Sequence, residues 1–193
     1  MTKNFQVLGY DQNKTLFVFA LESEAAEVFE NCNKLIMGIG KISATYALMN
    51  AIYRERPFLI VNLGSAGSNE FARGSVVCCT RFVQRDMNVT GLGYEKYETP
   101  YAETGTSLEY GIAYPGLPLG VCGSGDSFEM NHFSTDYNVV DMEAYPLALI
   151  AMREQIPFLC LKYISDGADG SAAEEWSVQV HHAAEAFRKI LFV

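Results

Sequence analysis

The sequence predicts an α/β fold, a central sheet with helices packed on it, and three observations carry that prediction. Short apolar runs recur along the chain, each ended by Gly, Pro or an acidic residue. Segments of helical period alternate with them through the first third, which is the pattern of parallel strands joined by covering helices. The 193 residues are 49% apolar and 19% charged, enough to bury the core of one domain spanning 1–193.

The elements follow in order. Residues 1–13 are polar and read as a lead-in with one short strand, Gln6–Leu8. Thr15–Ala20 is β-branched and aromatic with no turn residue, so it reads as a buried strand. Glu22–Glu30 alternates acidic and small apolar residues at helical spacing, with Ser23 as a cap and Glu24 in the first turn, where negative charge suits the helix dipole. Lys34–Met37 is a second short strand, ending in Gly38-Ile39-Gly40-Lys41. Ser43–Arg56 is a helix with Tyr46, Met49, Ile52 and Tyr53 on one face, ended by Pro57. Phe58–Leu63 is a third strand, stopped by Gly64-Ser65-Ala66-Gly67-Ser68.

Ser75–Val83 is strand-like. Residues 86–118 are rich in Gly, Tyr, Pro and Thr, and read as a long loop with one or two short strands; loops of that length tend to serve function or cover a partner. Leu119–Cys122 is a strand leading into Gly123-Ser124-Gly125-Asp126-Ser127-Phe128. Pro146 lacks an amide hydrogen and belongs in a first helical turn, so a helix runs over Tyr145–Glu154 with Glu143 just outside its start. Phe158–Ile164 is a sixth buried strand. Glu174–Leu191 sets Trp176, Val180, Ala183, Phe187 and Ile190–Leu191 on one face of a C-terminal helix.

Composition excludes several classes. The formal net charge of −9, with no basic run, disfavours nucleic acid as a partner. The apolar runs are too short to span a bilayer, and the N-terminus has no long apolar stretch, so a cytoplasmic protein with no membrane partner is expected. The five cysteines show no CxxC and no zinc-site spacing, and read as small buried hydrophobes. His132, His181 and His182 likewise lack metal spacing and are expected on the surface or in helices; neither metal nor cofactor is expected.

Two acidic groups stand at element ends beside apolar runs, where burial shifts carboxylate pKa values: Asp141-Met142-Glu143, and Ile164-Ser165-Asp166-Gly167-Ala168-Asp169. Open α/β sheets bind ligands at strand carboxyl ends. Ala20–Glu24, Gly64–Ser68, Gly123–Phe128 and Ser165–Asp169 all fall at such ends.

In this order, several segments resemble the nucleoside phosphorylase/nucleosidase superfamily. They are Gly38–Lys41, Val61–Gly67, Asp86–Tyr94, Ser124–Phe128, Val140–Ala144 and Ile164–Asp169. The likeness is strongest to the bacterial 5′-methylthioadenosine/S-adenosylhomocysteine nucleosidases. It implies a mixed, largely parallel central sheet flanked by helices, a phosphorylase/hydrolase-like three-layer αβα sandwich. It also implies hydrolysis of the N-glycosidic bond of a purine nucleoside. By position, Asp166 matches the acid that protonates the base at N7, Glu143 the carboxylate that holds the ribose hydroxyls, and Glu24 the carboxylate that activates water. Met142, Phe128 and Trp176 match residues lining ribose and base. Ser65, with Ala66 and Gly67, falls near the attacking water, and Ser165 and Ile39 fall in matched segments beside the substrate. The resemblance further implies a homodimer in which the 86–100 loop, with Tyr94 and Pro100, closes the neighbour's pocket.

The residue types suit that chemistry. A buried, protonated Asp supplies the proton a departing base needs, and nearby carboxylates stabilise a cationic sugar. The chain departs from the family in lacking a hairpin before Gly38 and in a short 101–120 segment. It also carries Asp141 where Glu is common, Leu92 where an aromatic is common, and Glu129 where an apolar residue is common. The competing functions are a purine nucleoside phosphorylase, with Arg73, Arg81 and Arg85 as candidate phosphate ligands, and a futalosine or nucleotide nucleosidase. A non-catalytic nucleoside-binding protein is the remaining alternative, and the presence of Glu24, Glu143 and Asp166 together weighs against it.

Overall fold

The computed structural model describes residues 6–132 and 134–192. A small hairpin of β1 (Gln6–Val7) and β2 (Tyr10–Asp11) precedes β3 (Thr15–Phe19), which is buried at every position. Then come α1 (Glu22–Ala25), β4 (Lys34–Ile36), α2 (Lys41–Arg54), β5 (Leu59–Gly67) and β6 (Val76–Gln84). The long loop carries only a 3₁₀ turn, Thr90–Leu92, and β7 (Leu108–Glu109). The remainder is β8 (Leu119–Ser124), β9 (Val139–Asp141), α3 (Ala144–Arg153), β10 (Phe158–Asp166), α4 (Ala172–Gln179) and α5 (Ala183–Leu191).

The sheet is mixed and largely parallel, and five of its strands close into a ring. β5 runs parallel to β10, β10 antiparallel to β6, and β6 parallel to β8. β8 runs parallel to β9, and β9 returns antiparallel to β5 with Val140 opposite Gly67. β3 and β4 extend in parallel from the other half of β5. Helices lie on both sides. Ala44, Leu48 and Ile52 of α2 and most of α3 pack on one face of the strands. Ala25 of α1, Phe29, and Ala183, Ala184, Phe187 and Leu191 of α5 pack on the other.

Six expectations change. The helix expected over Glu22–Glu30 stops at Ala25; Ala26 takes φ 46°, and Glu27–Phe29 is a 3₁₀ turn. The break swings Phe29 against Phe17, Phe19 and Phe192, at ring-centroid distances of 5.6, 5.0 and 5.4 Å. Apolar packing of three aromatics outweighs the roughly 1–2 kcal/mol of a left-handed residue. On α2 the face expected inside is mostly outside: Ile52 is buried, but Tyr46 and Tyr53 are 73% and 92% exposed. The helix carries two apolar stripes, and the smaller side chains Ala44, Leu48 and Ile52 are the ones that fit against α3.

Gly64–Gly67 does not stop β5 but continues it, paired through Lys162↔Gly64, Tyr163↔Ser65 and Ile164↔Ala66. β9, read only as the approach to a helix, is a strand. The C-terminal helix begins at Ala172 and is interrupted by a 3₁₀ turn at Val180–His182. All five cysteines are free; four are buried and Cys32 is half-buried. His132, expected on the surface or in a helix, is buried and stacked on Tyr137 with ring centroids 4.9 Å apart.

Candidate active site

The sheet brings the carboxyl ends of β3, β5, β9 and β10 to one place. The loop after β3 delivers Glu24, the small residues ending β5 deliver Ser65, Ala66 and Gly67, β9 leads to Met142 and Glu143, and β10 ends on Asp166. All seven line a single cavity of about 440 Å³, a size suited to a small organic ligand. Ile39, Phe128 and Trp176 complete the wall. Ser165 is fully buried behind it, its hydroxyl 2.8 Å from Asp166 Oδ2. Of the residues expected at the site, Ser165 stands behind the wall and Tyr94 lies away from the cavity of its own chain; Tyr94 stacks edge-on against Tyr101, 6.2 Å away.

The closeness of the walls depends on missing side chains. A Cβ on Gly67 would lie 2.6 Å from Asp166 Oδ1, 3.0 Å from Val140 and 3.1 Å from Ala168. Glycine is therefore required for β5 to bring the acid this near.

Glu24 is held from two sides. Its Oε2 accepts the Ala20 and Leu21 amides, each at 3.1 Å, and its Oε1 accepts the Ser65 amide and hydroxyl, each at 2.8 Å. Trp176 Nε1 donates to the same Ser65 hydroxyl at 2.9 Å, tying α4 to β5. Glu24 is the third residue of α1, and its carboxylate folds back onto the Leu21 amide at the helix start, which aims it at the β3 end and not out along a solvated helix face.

Glu143 stands at the N-terminal junction of α3, as Pro146 predicts, and its Oε1 accepts the Gly40 amide at 2.8 Å. Burial, then the Asp141 charge, pushes its carboxyl up to about 7, against the pull of Lys162 and the Gly40 amide. Burial also raises Asp166 above the ordinary carboxylate range, although its Oδ1 accepts the Ala168 amide at 2.9 Å and its Oδ2 the Ser165 hydroxyl. Asp141 behaves oppositely. Burial pushes it up, but Lys162 Nζ, 2.8 Å away, and the Ser124 hydroxyl at 2.5 Å hold it below its usual value. Two buried acids that tend to keep a proton thus sit beside one that does not, the kind of separation that divides labour in a catalytic site.

One participant was not foreseen. Lys162 lies within an apolar strand, and a lysine in such a run was itself the signal, because a buried ammonium needs an anion. Of the three arginines considered as phosphate ligands, Arg85 lines the cavity and straps the Gly125–Glu129 loop, bonding the Gly125 carbonyl at 3.1 Å, the Ser127 hydroxyl at 3.0 Å and Glu129 at 3.4 Å. Arg73 and Arg81 are outside the cavity wall, paired with Glu175 and Asp169 and with Glu109. Among the described residues no group of three His, Cys, Asp or Glu side chains is placed to hold a metal ion.

A cavity walled by acids at the carboxyl ends of parallel strands marks an α/β protein that handles a small polar ligand. The chain belongs to the phosphorylase superfamily, the family of nucleoside phosphorylases and nucleosidases, whose profile matches residues 35–192. A 5′-methylthioadenosine/S-adenosylhomocysteine nucleosidase of Listeria monocytogenes is 30% identical over 77% of this chain and 74% of its own. The nucleosidase of that name from Helicobacter pylori, crystallised with butyl-thio-DADMe-Immucillin-A, superposes with a TM-score of 0.82. It is 18% identical, over 94% of this chain and 98% of that one. A futalosine hydrolase from the same organism gives 0.81 at 19% identity, over 94% and 96%.

Proposed function

We propose that this chain hydrolyses the N-glycosidic bond of an adenine nucleoside, such as 5′-methylthioadenosine or S-adenosylhomocysteine, releasing the free base and the ribose moiety. In this reading Asp166 gives its proton to the base as the C–N bond breaks, and the bonding electrons leave with the base. Ser165 serves both states of the acid. Its hydroxyl has Asp166 Oδ2 at 2.8 Å and the Ala66 carbonyl at 3.3 Å as acceptors, the first for the carboxylate and the second for the protonated form. Glu143 takes the ribose hydroxyls and, as an anion, stabilises the cationic sugar. Water then adds to that sugar and its proton passes to Glu24. The Ser65 hydroxyl can turn its proton away from Glu24 while still accepting from Trp176 Nε1, which the three fixed amides cannot do, so it is the donor that water displaces.

The observation that supports hydrolysis over phosphorolysis is the occupancy of Glu24. The Ala20, Leu21 and Ser65 amides are the donors an oxyanion would need at this end of the cavity, and a carboxylate already holds all three. A phosphate there would meet a negative charge with its donors taken.

The test is a panel of methylthioadenosine, adenosylhomocysteine, inosine, futalosine and AMP, each with and without phosphate. Adenine release at the same rate in both conditions is expected, and Asp166→Asn is expected to lower it at least about 100-fold with an unchanged circular dichroism spectrum. Strict phosphate dependence, or full activity of the Asn variant, contradicts the reading.

The same reading takes the protein as a homodimer in which Tyr94 and the 86–100 loop serve the partner's cavity. It is supported by the position of Tyr94 away from its own cavity and by the exposed stripe Ile42, Tyr46, Met49 and Tyr53 on α2.

A further inference from the structure

Lys162 is the middle residue of β10 and is 1% exposed. Burying an ammonium is costly unless an anion and good hydrogen bonds compensate it. Its Nζ lies 2.8 Å from Asp141 Oδ2, with both side chains closed to solvent. Asp141 is itself built into the head of α3. The same Oδ2 accepts the Ala144 amide at 2.8 Å, and Oδ1 accepts the Ser124 hydroxyl, which in turn accepts the Tyr145 amide at 2.8 Å. Lys162 and Asp141 together therefore fix the start of α3, and Glu143 is the residue at that junction.

The ammonium also faces the other carboxylate. Lys162 pairs with Gly64 across the sheet, and a Cβ on Gly64 would sit 3.5 Å from Lys162 Nζ and 3.4 Å from Glu24 Oε1. One buried cation thus lies under the part of the cavity where Asp141, Glu143 and Glu24 converge.

We propose that Lys162 is a positioning residue for Glu143. Through Asp141 it fixes the turn that carries Glu143, and its charge opposes the protonation of Glu143 that burial and Asp141 favour, so that more of the anion that ribose hydroxyls and a cationic sugar require is present. This rests on the reading of Glu143 as the ribose-holding group. The groups that face Glu143 are Asp141 from β9, Lys162 from β10, Glu24 from α1 and the Gly40 amide from the turn before α2. Further along that turn, Lys41 is committed to Asp86, and Asp126 takes the Lys41 amide. Burial, Asp141 and Glu24 favour a proton on Glu143; Lys162 and the Gly40 amide oppose it. Without Lys162 the balance tips toward the neutral acid.

The test separates charge from shape. Carboxyl ¹³C titration of the ligand-free, glutamate-labelled protein, with Glu143→Gln to assign the signal, reads Glu143 directly. Lys162→Met is expected to raise its midpoint by about one pH unit or more, and Asp141→Asn to lower it by about one. The double variant is expected to return within about half a unit of wild type, because two opposite charges in contact leave together. The acid limb of kcat/KM for base release should move in the same order. If Lys162→Met does not fold, Lys162→Gln, which keeps a hydrogen-bond donor for Asp141 without the charge, is expected to raise the midpoint in the same direction and decides the matter. Single variants that leave the midpoint at its wild-type position overturn the assignment. A midpoint that moves as expected while the acid limb stays put leaves Lys162 as the group that sets the charge and overturns the ribose-holding role of Glu143.

Discussion

The Glu143 carboxyl, buried beside Asp141, titrates near 7, and that has a consequence for stability. In the unfolded chain the same group titrates near 4.5. Between those values the folded protein holds a proton that the unfolded chain has released. Stability therefore falls as pH rises through the window, by roughly 3 kcal/mol for this one group. Asp166, raised in the same direction, adds to the trend. Asp141, lowered, contributes stability that is present above its unfolded value and lost as pH falls. Glu143→Gln is expected to gain stability on wild type between pH 5 and pH 8 in urea unfolding of the ligand-free protein; a difference that stays flat with pH contradicts the buried titration. At this scale the sequence was legible where acids end apolar strands, so Asp166 and Glu143 stood out. The lysine in β10 signalled that some buried anion was needed, but not which one, because Asp141 lies on β9, which pairs with β5 and β8 and not with β10.

Among the elements, β5 shows how a strand is shaped by what lies beside it. Gly-Ser-Ala-Gly reads as a turn because glycine and serine are common in turns. Here the small side chains keep the strand going and leave room for Asp166. Gly67→Ala tests this. The added methyl would meet Asp166 Oδ1 at 2.6 Å and the Val140 and Ala168 side chains at 3.0 and 3.1 Å. The acid or the strand must move, so kcat is expected to fall by about tenfold or more, as displacement of a catalytic group does. Retained activity in that variant would show that the close approach is unnecessary. The buried strands were legible from their apolar runs, and α3 from Pro146. The break at Ala26 and the three-residue β9 were not: one is driven by a cluster of phenylalanines distant in sequence, and the other is too short to show a period. The inward face of α2 was misread because apolar period alone does not choose between two stripes.

Over the whole molecule, alternation of strand and helix predicted an α/β fold, and the antiparallel pairings β10–β6 and β5–β9 that close the ring were not readable. A strand's composition does not record its direction, and closure joins segments far apart in the chain. Assembly belongs to this scale too. If Tyr94 serves a partner's cavity, light scattering is expected to give about twice 21.4 kDa, and Tyr46→Glu, which charges the exposed stripe of α2, is expected to yield monomer with reduced activity. A monomeric wild type with full activity contradicts the shared pocket.

Ring closure also bears on how the molecule behaves among its neighbours. An unpaired strand is a template for adding another, and proteins with long open edges are prone to join through them. Here β5, β6, β8, β9 and β10 each have partners on both sides, and the outermost strands of the sheet are β4 and β7, three and two residues long. Such short edges offer few hydrogen bonds to an incoming strand, and a net charge of −9 repels like molecules. The closure that gathers the acids into one cavity therefore also guards the folded chain against aggregation by strand addition.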